Sequence, residues 1–137
     1  MQLDDVTSAI IAASIGIHRN LGPTLLESVY EIVLASVLAR RGLAVARQQP
    51  INFSYDGIEF EHGFRIDLLV ENAVIVEVKS LERFDRVHPK QLLTYLRLMD
   101  LRVGLLLNFG AATMKEGIKR VVNDLPPGDS TLLRVNR

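Results

Sequence analysis

Three charged residues set in apolar runs could do chemistry together: Asp67, Glu77 and Lys79. In VIVEVK, strand alternation sends Val74, Val76 and Val78 to one face and Ile75, Glu77 and Lys79 to the other. An acid and a base thus share a face. The preceding run FRIDLLV has the same character, with Ile66, Leu68 and Val70 on one side and Arg65 and Asp67 on the other. The length of the connecting loop decides whether these charges meet. A two-residue loop would set Asp67 opposite Val76. A three-residue loop, Glu71 to Ala73, pairs Val70 with Val74, Asp67 with Glu77 and Arg65 with Lys79, and keeps the valine-rich faces together. The three-residue loop is predicted. Two opposed carboxylates repel each other unless a cation lies between them, and a hard divalent ion, Mg2+ or Mn2+, suits their oxygens. Lys79 could then orient or activate a water for attack on a phosphorus, while the metal stabilises charge on the phosphate oxygens. Taken alone, D-x9-E-x-K also describes the solvated charged face of many ordinary strands.

The elements that must position these residues can be read from periodicity. Apolar positions Ile10, Ile11, Ala13, Ser14, Ile17 and Leu21 predict a helix from about Leu3 to Asn20, ended by Leu21-Gly22-Pro23. Thr24 followed by Glu27 has capping-box spacing, so a second helix is predicted from there to about Arg41, closed by Gly42. LAVARQ, INFSY and IEFEHGF read as strands around the turn Asp56-Gly57, ahead of the hairpin Phe64 to Val70 and Val74 to Lys79. Pro89 opens an amphipathic helix to about Met99, with Leu92, Leu93, Leu96 and Met99 at core spacing. RVGLLLN suits a strand buried on both faces, and Lys115 to Val122 reads as a last helix. The tail after Asn123 is expected to be weakly structured or to add an edge strand. The order α, α, several β, α, β, α implies a mixed α/β fold, a central sheet flanked by helices.

Composition bounds what this fold can be. With 137 residues, 48% hydrophobic, the chain is expected to form a single domain over 1–137 with one real core. The absence of cysteine excludes disulfides and thiolate metal sites. The acidic N-terminus MQLDDVTSAI has no basic leader character, and no apolar run reaches the roughly 20 residues of a membrane span. A cytoplasmic protein with no membrane partner is the expectation. Sixteen basic residues balance sixteen acidic ones, which counts against a strongly basic nucleic-acid footprint but leaves room for a local patch and for the charge of bound metal.

Other residues have both a functional and an ordinary role open to them. Gln91 and Tyr95 lie four apart on one helix face, where a solvated amide and a half-buried phenol are the ordinary alternative. For Glu27 the ordinary alternative is simply the capping-box acid. Arg65 either contacts a phosphate or neutralises the carboxylate pair. Arg83, Arg86, Lys90 and Arg97 surround the Gln91 helix and could guide a nucleic-acid backbone, or be merely solvated. His18, His62 and His88 are too scattered for a histidine metal site.

The runs LGPTLLESVYE, HGFRIDLLVENAVIVEVKS, QLLTY and LRVGLLLNFG together resemble the GxxExxY family, a branch of the PD-(D/E)XK nuclease superfamily, from about Asp5 to Val122. The resemblance implies a restriction-endonuclease-like core, a four-stranded mixed sheet in αβββαβ order, which agrees with the order read above. It implies one or two Mg2+ or Mn2+ ions held by Asp67, Glu77 and the main-chain carbonyl of Val78, with Lys79 as the catalytic lysine. Glu27 would be the helix-borne acid that holds metal directly or through water, and Gln91 and Tyr95 match the QxxxY motif. The family's name-giving glycine falls at Thr24 here, with Gly22 two residues earlier, and Ile66 stands where the superfamily's proline would precede Asp67.

Two main function classes follow, with a weaker third. One is a metal-dependent nuclease that cleaves nucleic acid, DNA ahead of RNA. The other is a catalytically silent nuclease-fold protein that binds nucleic acid or serves in assembly, and a weaker third is a structural module whose charged strand face pairs with another subunit. Homo-oligomerisation is left open.

Overall fold

In the computed structural model, which describes residues 1–124 and 133–136, helices α1 (Leu3–Leu21) and α2 (Glu27–Arg40) precede the long strands β1 (Val45–Tyr55) and β2 (Ile58–Val70). Then come β3 (Val74–Lys79), α3 (Val87–Met99), β4 (Val103–Asn108), α4 (Met114–Gly117), β5 (Ile118–Val122) and β6 (Leu133–Asn136). The described strands form one sheet in the order β5-β4-β3-β2-β1-β6. Only β3 and β4 run parallel, joined through α3; the other neighbours are antiparallel. The expected four-strand core is thus extended by one strand at each edge. The edge strand foreseen for the tail is β6, while residues 125–132 lie outside the described residues.

Apolar patterning explains the layers. Val74, Val76 and Val78 of β3 and Val103, Leu105 and Leu107 of β4 pack with Ile10, Ile17, Leu34 and Leu38 of α1 and α2. Ile75 and Leu106 point the other way and pack with Leu92, Leu96 and Met99 of α3. A strand buried on both faces needs this near-continuous apolar run. At the tip of the β1–β2 hairpin, Asp56 (φ 50°) and Gly57 (φ 80°) form the turn read from their types.

Three expectations need correction. The helix predicted from Lys115 to Val122 is a single turn, after which Ile118–Val122 becomes a strand paired with β4. Gly117 stands at the tight entry to that strand: a Cβ there would lie 2.4 Å from the Asn108 carbonyl oxygen at the end of β4, an approach that glycine allows. The following residues are rich in β-formers. The Thr24 capping box also does not form. Helix α2 starts at Glu27 with Leu26 as its N-cap, because the Tyr30 hydroxyl donates to the Gly22 carbonyl and accepts from the Leu25 N–H (3.1 Å), holding 22–25 outside the helix. Finally, the strands read separately before Val70 are fused into two long ones, and β2 does not alternate regularly. Ile66 packs with the α3-side cluster, whereas Leu68 and Val70 pack on the α1/α2 side.

Candidate active site

The β2–β3 ladder runs from Val70↔Val74 to Leu68↔Val76, as a three-residue loop requires. There the pairing stops, so Arg65 and Lys79 do not become partners. At the next step the two carboxylates cross onto the opposing backbones. The Asp67 N–H donates to Glu77 Oε2 (3.3 Å), and the Val78 N–H donates to Asp67 Oδ2 (2.8 Å). Side chains thus hold the strands together just where their ladder ends. Asp67 is half-buried and Glu77 is 5% exposed.

That environment disfavours the charged form of Glu77. Burial, then the charge of Asp67 and a side-chain hydrogen bond with it, push the Glu77 carboxyl up to about 9; the Asp67 N–H and the charge of Lys79 act weakly the other way. A carboxyl buried beside a second carboxylate is costly to ionise, which raises its affinity for a proton. Tyr95, on α3, stacks on Phe64 (centroids 4.2 Å apart), and its phenol is raised by burial and by the charges of Glu77 and Asp67. The structure therefore brings Tyr95 within the field of the pair. Gln91, one turn earlier, is exposed and makes no hydrogen bond to either carboxylate.

Lys79 is half-buried at the end of β3, in parallel register with Asn108 of β4. A clamp fixes the chain that leaves it. Phe109 N–H donates to the Lys79 carbonyl (2.9 Å), and the buried Asn108 side chain accepts from Leu81 N–H (2.8 Å) and donates to the Leu81 carbonyl (3.0 Å). Gly110 permits this approach, since a Cβ there would lie 2.5 Å from the Leu81 backbone.

A cleft of about 740 Å³ opens on the α2 side, lined by Glu27, Glu31, Arg47, Gln48, Arg65 and Asp67, among others. Glu27 and Arg65 are exposed there. Glu31, not singled out from the sequence, is the α2 acid that is linked to Asp67. It is 5% exposed, accepts from Arg47 Nη2 (2.9 Å) and Gln48 Nε2 (2.5 Å), and Gln48 Nε2 also reaches Asp67 Oδ1 (3.5 Å). One signal could have found it. Glu31 falls within the buried helical stripe Tyr30, Leu34, Ala35 and Leu38, where a lone acid demands a partner.

Among the described residues, no group of three or more His, Cys, Asp or Glu side chains is placed to hold a metal ion. The donor set at the ladder's end is therefore the two carboxylates. That set fits a hard divalent ion, which is commonly held by one or two carboxylates, with waters and substrate oxygens completing its shell. His18 instead bonds the Ala111 carbonyl (2.8 Å). A separate cavity of about 540 Å³, lined in part by Gln49, Ile51, His62, Leu69 and Met99, contains none of the charged trio. No helix among the described residues is long and apolar enough to cross a membrane.

Comparison with protein-family models matches residues 4–121 to the PD-(D/E)XK nuclease superfamily. No curated protein and no solved structure gives a significant match.

Proposed function

Since the chain belongs to the PD-(D/E)XK nuclease superfamily, we propose that it hydrolyses nucleic-acid phosphodiester bonds with Mg2+ or Mn2+ held at Asp67 and Glu77. The observation that carries this reading is the crossed carboxylate pair at the end of the β2–β3 ladder. Structural acids on a strand face are normally solvated or ion-paired. Here one is buried, has no basic partner within salt-bridge distance among the described residues, and sits beside the other.

Asp67, Glu77 and the Val78 carbonyl would hold the ion, or two ions with Glu27 as a further ligand. The bound metal would stabilise negative charge on the phosphate and make a bound water more acidic. Lys79 would orient the attacking water and place a positive charge beside it. Arg65, exposed on the cleft wall, contacts a phosphate, and Tyr95 and Gln91 contact the substrate from α3. Nucleic acid, DNA ahead of RNA, is the partner, and the GxxExxY branch is the finer family placement. Purified protein incubated with single- and double-stranded DNA and RNA plus Mn2+ should cleave at least one of them. Cleavage that persists in Lys79→Ala and Asp67→Ala would identify a contaminant.

A second reading, a silent nuclease fold used for binding or assembly, draws on the balanced charge and on the exposure of Glu27 and Gln91. Failure of the wild type to bind Mn2+ at millimolar concentration would favour it.

A further inference from the structure

We propose that Gln48 is a positioning residue whose side-chain amide holds the Asp67 carboxylate in its metal-binding orientation by bridging it to the buried acid Glu31. The proposal rests on the metal-dependent reading of Asp67 given above.

The backbone at Gln48 is the first observation. Gln48 lies inside β1 with φ +50°, a left-handed conformation that a side chain other than Gly, Asn or Asp seldom adopts within a strand. Strain of this kind persists only where its surroundings enforce it, and it gathers at functional sites. The flanking register, Arg47↔Leu68 and Gln49↔Ile66, sets Gln48 across from Asp67. On both strands this is where the facing pattern changes. Val45 packs on the α1/α2 side and Ile51 on the α3 side; likewise Leu68 packs on the α1/α2 side and Ile66 on the α3 side.

The second observation is what the twist achieves. Consecutive strand residues ordinarily face opposite ways. Here Arg47 and Gln48 both reach Glu31, one at each carboxylate oxygen. Arg47 balances the charge of Glu31, and Gln48 joins Glu31 to Asp67 Oδ1. An amide is the group that can do this, because its two N–H donors serve two carboxylates without adding charge. With Oδ2 fixed by the Val78 N–H, both Asp67 oxygens have a donor and the carboxylate is held against rotation. Glu31 acts through Gln48 as an anchor.

Gln48→Gly separates positioning from structure, because glycine relieves the left-handed strain while deleting the bridge. If Gln48 were merely structural, this variant would behave as wild type or be more stable. On the proposal its thermal midpoint is unchanged or raised, yet Mn2+ binding, measured by calorimetry or electron paramagnetic resonance without substrate, weakens by about tenfold or more. With oligonucleotide present, kcat falls and KM stays. Mn2+ affinity within about twofold of wild type would overturn the positioning role, provided Asp67→Ala has lost Mn2+. Binding in Asp67→Ala as strong as in wild type would instead remove the metal reading itself, and the positioning role with it. Should Gln48→Gly fail to fold, Gln48→Asn, which tolerates the same backbone but is one methylene too short for the bridge, is judged by the same Mn2+ criterion.

Discussion

Two adjacent stretches of the β2–β3 hairpin solve opposite problems. From Leu68↔Val76 to Val70↔Val74 the strands are regularly paired and buried on both faces. One step on, at Asp67 and Glu77, the pairing gives way to carboxylates resting on the opposing backbone. The first stretch maximises burial; the second gives up regular pairing to place two acids side by side. The difference teaches that the carboxylate pair is carried by a departure from the sheet, braced by the ladder behind it.

Neighbouring substitutions should therefore have unlike consequences. The largest effect is expected at the break: Asp67→Ala should lower cleavage by about 10²-fold or more, while its stability falls less than that of the ladder variant, because relief of the charge beside Glu77 offsets part of the bond lost by the Val78 N–H. In the ladder, Leu68→Ala should cost about 2–5 kcal/mol in urea unfolding, because Leu68 is fully buried. If the two variants proved alike in stability, the contrast would fail.

The break should also carry its own pH signature. The fold raises the Glu77 carboxyl from 4.5 to about 9, so between those pH values the native state keeps a proton that the unfolded chain has released. Stability of the metal-free protein is then fully favoured below about 4.5 and lost as pH rises toward about 9. Glu77→Gln should flatten this decline, read as the urea midpoint at pH 6 and pH 9. Since an ion must displace that proton, Mn2+ affinity of the wild type should rise with pH across the same window. The smallest effect is expected at Tyr30→Phe, which loses the hydroxyl ties to Gly22 and Leu25 and should cost about 1–2 kcal/mol by chemical denaturation.

Much of the hairpin was legible in the sequence because a valine stripe specifies its own register: the three-residue loop follows from keeping Val70 beside Val74. The meeting of Asp67 and Glu77 follows from that loop. The facing change at Gln48 was not legible, because nothing in the type of a glutamine announces a left-handed backbone. Glu31 was hidden by Glu27, whose spacing from Thr24 suggested a cap that the Tyr30 hydroxyl in fact pre-empts. The strand β5 was missed because Lys-Glu-Gly-Ile-Lys-Arg can be written on a helix as readily as on an edge; its pairing with β4 decides it, and pairing is a tertiary fact.

The Tyr30 ring stacks almost parallel on Phe109, 4.5 Å away, and both are fully buried. Tyr30 adjoins Glu31 on α2, and Phe109 adjoins the Asn108 clamp that steadies the chain beyond Lys79. The two rings act as a keystone between the walls of the site. Its consequence is mechanical: the helix bearing Glu31 and the strand end bearing Lys79 are joined through the dry interior, out of reach of solvent.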